Sequence, residues 1–585
     1  NSLGQVIAPD GRAINFTYNG LGRLAQITDP LNRTVGYGYD TAGNLITVTD
    51  LNNQVTTFTY DANHRLLSVT DANNHTFVTN VYNSEGRVIE QYDAQNHKTT
   101  FDYDILNHLT TVTDPLNHTV SYQYDADLRL ISESDGLNHT EFYTYDSNNN
   151  RLTGTDRNNH TTTYTYDERG NVLTITNALN DVTAYTYDNH NNVLTVIDPN
   201  NHTTTYTYDS AGNRLTATDS LSHVISYTYY TDVSRSGLLY TVTDPRNQTT
   251  TYDYNARGDV ITITDALNHT QMYTYDLGGR KLTFTDGRNH TWTYTYDNLN
   301  RILTETDPRS GVTTYSYDNV GNLLTKQDAN LRTTTFAYNE KDQVTSVTDP
   351  AHYVTNYTYD AVGNKLTETD GNGHTTVYGY DAAYRLVTAT DALTQTVTFG
   401  YDAAGNRVTV TDALNHTTTT IYDALNRPIT VIDPLGHSTT TTYDAVSNVL
   451  TVTDANNHTT SYTYNALNQL ITVTDAENGV VTYRYDENGN RVSMEDANHH
   501  LTGYTYDELS RLSTMTDPLN HITTHAYDAS GNRQTTKDAN GHTITYTYDE
   551  LNRLIHIAYD DGTTVAYTYD AVGNRLTMVD SQGLT

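Results

Sequence analysis

The chain has 585 residues, with 69 Asp and Glu against 33 Lys and Arg for a formal charge of −36, no cysteine, and 51 Tyr beside eight Phe and one Trp. A field this acidic repels a phosphate backbone, which argues against nucleic-acid binding. The absence of cysteine excludes disulfide and thiolate chemistry. No apolar run of about 20 residues is present to cross a bilayer as a helix. The first residue is Asn with no charged and apolar leader behind it, so the sequence reads as a fragment or processed product, with any signal or anchor outside it.

Pro9-Asp10-Gly11-Arg12 running into Asn15–Tyr18 reads as a first hairpin, Asp-Gly being a tight-turn signal. From Tyr18 to Tyr569 a beat follows: 27 tyrosines, nearly all succeeded by Asp or Asn, recur almost every 21 residues. Such self-similarity marks repeats that bury surface only by stacking on their neighbours. Counting from each Tyr as zero, the usual unit has Asp at +1, Gly at +4, Asn at +5, Leu at +7, Thr at +8 and +10, Asp at +11, Asn at +14, His at +15 and Tyr at +19, as in Tyr208 to Tyr227. Thr/Tyr/Val runs bounded by Gly, Asn, Asp and Pro clusters are strands joined by turns, so each unit is one hairpin. The interval from Tyr60 to Tyr82 is 22, and a β-bulge within Thr76–Val81 is expected to take up the extra residue. Four residues enter after Tyr229, giving an irregular loop at Thr231–Gly237. Asp561-Gly562 is read as a shorter turn in the last full unit. No linker or composition shift interrupts residues 1–585, so the fold class expected is all-β: one continuous array of about 27 antiparallel β-hairpins.

The pleat sets an expected register. With Asp+11 opposite His+15, and the unit Tyr opposite Asn+5, Leu+7 falls between two tyrosines. Leu215 then lies between Tyr206 and Tyr227, Leu366 between Tyr357 and Tyr378, and Leu152 between Tyr143 and Tyr164. The opposite face carries Thr against Thr, as +8 meets +18 and +10 meets +16. The Tyr/Leu face is expected to turn inward and the Thr face to be wetted.

The residues that suggest chemistry also serve turns. Eight of the ten prolines follow Asp+11, a type I turn preference. The column of His75, His118, His139, His160, His202, His269, His290, His416 and His458 repeats two strands apart, about 9.5 Å, too sparse to chelate within itself, so pairing with Asp+11 is expected rather than a metal site. Aspartates at +1 and +11 form two acidic rims where Ca²⁺ could bind loosely; no cofactor is otherwise implied. Thirteen Asn-x-Thr acceptors occur, including Asn15, Asn247 and Asn356. Ten share the +14 turn (Asn32, Asn74, Asn117, Asn138, Asn159, Asn201, Asn268, Asn289, Asn415 and Asn457) and would project from one rim as N-glycosylation positions, unless Asn is simply wanted by the turn and Thr by the strand. Any Ser, His and Asp set recurs along the array, whereas an active site is singular, so no enzyme activity is expected.

Tyr-Asp-x-x-Gly-Asn-Arg-Leu at this beat resembles the YD repeat of the Rhs family, shared with teneurins and the shell subunits of insecticidal toxin complexes. The resemblance implies that the hairpins join one sheet spiralling into a hollow tube or shell, which in toxin members encloses a toxic domain. The Asp-Pro-x-Gly-Leu closing segment of such shells is not matched after Asp580, where Ser-Gln-Gly-Leu-Thr follows, and Asp433-Pro434-Leu435-Gly436 falls in the ordinary +11 phase. The unbroken beat favours constant curvature, and so a secreted or cell-surface filament or stalk built with copies of itself or further repeats. An encapsulating toxin shell is the alternative, and a teneurin-like adhesive module, using the loop at 231–237 or surface glycans, the third.

Overall fold

The computed structural model describes residues 3–8, 10–581 and 583; Pro9 of the opening turn and Ser-Gln-Gly-Leu-Thr at 581–585, save Ser581 and Gly583, lie outside them. The described residues contain 55 strands and no helix. Each strand pairs antiparallel with the strand before it and the one after it, from Gln5–Ile7 to Arg575–Asp580, so the chain is one ribbon of hairpins in a single sheet.

The unit at Tyr208 shows why. Strands Thr203–Tyr208, Arg214–Thr218 and Val224–Tyr229 are joined by two turns of the same design. In the first, Asp209 donates its N–H to the Asn213 carbonyl at 2.9 Å, and Gly212, at φ 86°, donates to the Asp209 carbonyl at 3.1 Å. The Asp209 Oδ1 accepts the N–H groups of Ala211 and Asn213, and its Oδ2 accepts the Asn213 side chain. The second repeats this with Asp219 and His223, Ser222 taking φ 69°. A left-handed residue favours Gly or Asn, which explains both the Gly at +4 and the Asn at +14. The Asp561-Gly562 turn is not shorter than the others: Tyr559 stands at +11, and its bonds to Thr563 and Gly562 follow the same pattern.

The register across the second turn is the expected one, Thr216 facing Ser226 and Thr218 facing Val224. Across the first it is not. Asp+1, rather than Tyr, faces Asn+5, and a bulge follows: Tyr208 pairs with Arg214, and Thr207 with Thr216. Leu215 is the extra residue, and Tyr206 faces Ala217. In the same way Tyr357 faces Glu368 rather than Leu366, and Tyr143 faces Gly154 rather than Leu152. The bulge carries the +6 side chain onto the tyrosine face. Arg214 lies over the rings of Tyr206 and Tyr227 at 5.7 and 4.6 Å, Lys365 over Tyr357 and Tyr378 at 5.6 and 4.8 Å, and Arg151 over Tyr143 and Tyr164 at 5.8 and 5.0 Å. A cation, not a leucine, bridges successive tyrosines. Leu215 is 37% exposed.

Tyrosine at the unit start has a second use. Its hydroxyl donates to the +6 carbonyl of the preceding unit, beside the bulge, as in Tyr229 to Arg214 at 2.9 Å and Tyr401 to Leu386 at 2.8 Å. Threonine hydroxyls pair across both strand boundaries, Thr207 with Thr216 at the first and Thr155 with Thr161 at the second, at 2.7 and 2.8 Å. Such cross-strand pairs contribute about 0.2–1 kcal/mol each.

Two irregularities are absorbed locally. Phe77 is skipped in the pairing of Leu66–Thr70 with Thr76–Tyr82 and is the extra residue of that interval. The loop between Tyr229 and Leu239 folds onto its neighbours: Arg235 bridges Asp232 and Asp253 and sits 3.9 Å over the Tyr230 ring, and Tyr230 donates to the Tyr252 carbonyl. Val233 at its tip is fully exposed.

The ribbon encloses no hydrophobic core. Among the described residues no side chain is fully buried, and Val69 is the one buried apolar residue. Stability therefore comes from turns and nearest-neighbour ladders, as in a solenoid. Tyr401→Phe is expected to cost about 1 kcal/mol, read as roughly fivefold faster amide exchange in Leu386–Thr390 and Thr396–Tyr401 with distant strands unaffected. Unchanged exchange in that pair would remove the hydroxyl from the account.

Candidate functional site

What is distinctive about this wall is the place where the ribbon meets itself. Numbering the units 1 to 27 from Tyr18, the +13 side chain of one unit reaches the +1 turn of another. Asn52 donates to Asp297 at 3.0 Å, Asn158 to Asp402 at 2.9 Å, Asn200 to Asp444 at 2.9 Å and Asn330 to Asp570 at 2.8 Å. These are units 2 and 14, 7 and 19, 9 and 21, and 15 and 27: twelve apart each time. In residues the separations are 245, 244, 244 and 240, because Phe77 and the loop after Tyr229 lie inside some spans and not others. For these four pairs the unit count is constant and the residue count is not.

Other seam contacts keep the offset of twelve, while longer side chains also reach one unit further, as Arg33 does to Asn300, Arg288 to Asn552 and Tyr384 to Asp114. Arg246 pairs with Asp486 at 3.2 Å, Arg309 with Asp549 at 3.1 Å and Lys341 with Asp93 at 2.7 Å. In the reverse sense Asn488 donates to Asp244 and Ser530 to Asp286. The backbones come close at two glycines in position +12: a Cβ on Gly136 would stand 2.0 Å from the Ala382 carbonyl oxygen, and one on Gly287 2.3 Å from that of Ala529. The ribbon is thus a coil whose successive turns touch rim to rim. Twelve hairpins are 24 strands, which at about 4.8 Å per strand give about 115 Å of contour and a round section about 35 Å across.

The electrostatics follow from the turns. At Asp570 the Asn574 side chain, against some desolvation and with Asn330 from across the seam, holds the carboxyl at about 2. Burial opposes ionisation of Asp318, but hydrogen bonds from Asn322 and, across the seam, Asn73 outweigh it and keep its carboxyl below the usual range. Burial, then the hydrogen bond to Asp114, raises the Tyr384 phenol.

The histidine column sits in its own turns, Nδ1 lying between 3.0 Å (His269, His416) and 3.7 Å (His75) from the +11 carboxylate. Among the described residues no three metal-ligating side chains converge. Asn32, Asn74, Asn117, Asn138, Asn159, Asn201, Asn268, Asn289, Asn415 and Asn457 are exposed, and each has φ between 61° and 67°. That conformation accounts for asparagine with no modification. The seam position +13 was not singled out in the sequence, where it alternates mainly among Asn, Leu and Arg.

A single-layer ribbon coiled rim on rim is a structural repeat shell. The Teneurin YD-shell family matches residues 233–377 and 429–585, more than half of the chain, and the RHS Repeat matches nine times between residues 18 and 439. The chain belongs to this YD-repeat family. No curated protein matches it in sequence. Of solved structures, TcdB2-TccC3-TEV is similar at a TM-score of 0.55 and 13% identity over 98% of this chain and 43% of that one. TcdB2-TccC3-Cdc42 is 15% identical with a TM-score of 0.40, covering 98% and 34%. The Photorhabdus luminescens Tc holotoxin pore is 15% identical with a TM-score of 0.36, covering 98% and 33%. The chain spans less than half the length of these structures. The first likeness shows a shared fold.

Acid should open the wall. A carboxyl depressed in the folded state stabilises it above the unfolded value, near 3.9, and that contribution is lost as pH falls through the folded value. With Asp570 and Asp167 at about 2, the melting temperature is expected to fall steadily between pH of about 4 and about 2. A flat melting temperature across that interval would show that the turns do not depend on ionised aspartate.

Proposed function

We propose that this chain is a non-enzymatic wall segment of an encapsulating shell, secreted or at a cell surface, that surrounds another polypeptide. The observation that carries it is the twelve-unit seam: a ribbon that closes on itself every turn, without filling its interior, is a container wall. Similarity in fold to TcdB2-TccC3-TEV over nearly the whole chain supports the reading. The repeated chemistry also speaks against catalysis, since every Asp-His pair recurs many times and none is set apart in a preorganised pocket.

A filament or stalk is the second reading, and the constancy of the offset favours it: equal offsets along the coil mean equal curvature, with no taper toward a closed end. Electron microscopy of native particles decides between them. A bounded hollow body with density inside is the expected result. Long threads of uniform width with an empty lumen would replace the container by the filament, and a solid rod would sink both.

A further inference from the structure

The charge of the wall is sorted by face. The turns hold its aspartates, whose oxygens are taken up by backbone N–H groups and a side chain of the same turn, as at Asp209 and Asp219. Between the turns, positions +6, +9 and +17 share the tyrosine face, since Tyr208 pairs with Arg214, Tyr206 with Ala217 and Ala217 with Ile225. These positions carry nine Lys and Arg against four Glu, in a chain of 69 acids and 33 bases. Lys365 pairs with Glu368 at 2.5 Å; the other eight cations have no carboxylate in ion-pair reach among the described residues. One place earlier, arginine behaves differently: at +5, Arg65, Arg301 and Arg511 each pair with the Asp at +1. Before most +6 cations stands an Asn that takes this aspartate instead, as Asn150 does Asp146 and Asn213 does Asp209, and the cation is left over. It lies on rings, Arg407 over Phe399 at 5.6 Å and Arg491 over Tyr504 at 5.0 Å. Of the five N–H donors of a guanidinium, Arg151 and Arg214 each give one to a tyrosine hydroxyl, at 2.9 Å. Seven of the nine cations are exposed. The coil also aligns them: Arg151 and Arg407 belong to units 7 and 19, Lys281 and Arg533 to 13 and 25, and Lys326 and Arg575 to 15 and 27. Pairs twelve units apart come nearly above one another on neighbouring turns. A cavity of about 640 Å³ opens on this face where Arg214, Tyr206 and Tyr227 meet Gln469 and Ser510 from across the seam. Side chains of two turns converge there, as they do on the concave side of a coil.

We infer that the tyrosine face is the lumenal one and that its unpaired cations hold acidic side chains, Asp and Glu, of the polypeptide the wall surrounds. The occupant follows from charge complementarity. Guanidinium N–H pairs fit a carboxylate at two points, and the rings beneath fix the cation without neutralising it. A phosphate backbone offers similar oxygens but brings a charge at every residue against a chain already at −36. Acidic side chains spaced among neutral ones meet the cations singly, and the turn aspartates beyond are screened within about 8 Å at physiological salt. The inference rests on the reading of the wall as a container and names what the contents present to it.

Calorimetric titration of the intact chain with peptides, followed also by tryptophan emission, tests it. Trp292, the one tryptophan, stands on the tyrosine face, stacked on Phe284 at 5.4 Å, and Lys281 lies 5.9 Å over that Phe284 ring, so its emission reports on occupancy. A peptide of alternating Glu and Ser, about 15 residues long, spans Arg214 to Lys281, three hairpins or about 29 Å apart. It should bind saturably and change Trp292 emission, while a Lys/Ser peptide of equal length, drawn to the acidic turns, should leave that emission as it was. Arg214→Gln with Lys281→Gln should weaken the Glu/Ser peptide about tenfold, Arg214→Lys with Lys281→Arg should keep its affinity, and Arg484→Gln, on the threonine face opposite Ser493, should change nothing. No binding of the Glu/Ser peptide, binding that leaves Trp292 unmoved or survives the double Gln substitution, or tighter binding of oligo-dT with the same Trp292 signal would overturn it. None of these outcomes touches the hollow particle, and long threads in the microscope would leave the affinity for the peptide standing, so the two readings fail separately.

Discussion

An aspartate that caps its own turn is the contact on which the rest of the wall depends. At both ends of most hairpins one carboxylate takes two backbone N–H groups and holds a side chain from the far side of the turn, as Asp209 does with Ala211 and Asn213 and Asp219 with Leu221 and His223, and an Asn amide oxygen takes its place at turns such as those of Asn19 and Asn465. A hairpin alone is marginal in water, and this one has no core beneath it. The turn must therefore fix the register itself. It does so by spending a left-handed residue, Gly212 or Ser222, at the one place where an uncapped chain would most readily choose another path. The large acidic excess is the sum of these caps.

The ribbon, the hairpin unit and the places of both turns were legible in the sequence, because turn residues fix φ and hydrogen-bond acceptors within five positions, but the pair that closes the first turn, Asp209 with Asn213 rather than Tyr208 with Asn213, was not. The Thr-faced ladder was legible for the same reason, since His223 and Asp219 set its register directly. The tyrosine face was not. Alternation puts Leu215 between Tyr206 and Tyr227, but the turn closes one residue later, at Asp209, and the bulge at Leu215 adds another, so that Ala217 faces Tyr206 and Arg214 swings into that space. Nothing in Gly-Asn-Arg-Leu signals a bulge, and a missed bulge exchanges neighbours without changing which residues are present. Similarly, Tyr401 reads as an apolar ring, while its hydroxyl on the Leu386 carbonyl is visible only once the strands are paired. The seam was out of reach for a different reason: contacts about 240 residues apart follow from curvature, and curvature is a property of the accumulated twist.

The constancy of the offset shows what sets the width of the coil. Every unit presents nearly the same rims, so a seam slipped by one unit would bring almost the same chemistry together, Asn against Asp and Leu beside Leu. Seam chemistry alone therefore cannot select twelve. The insertion after Tyr229 and the extra Phe77 change the residue separation from 240 to 245, yet the unit offset holds, because both are absorbed within a turn or a bulge and leave the number of paired strands unchanged. Width must then be counted in strands, each contributing a fixed rotation through its pairing and its bulge, and the seam closes wherever that rotation returns the ribbon to itself.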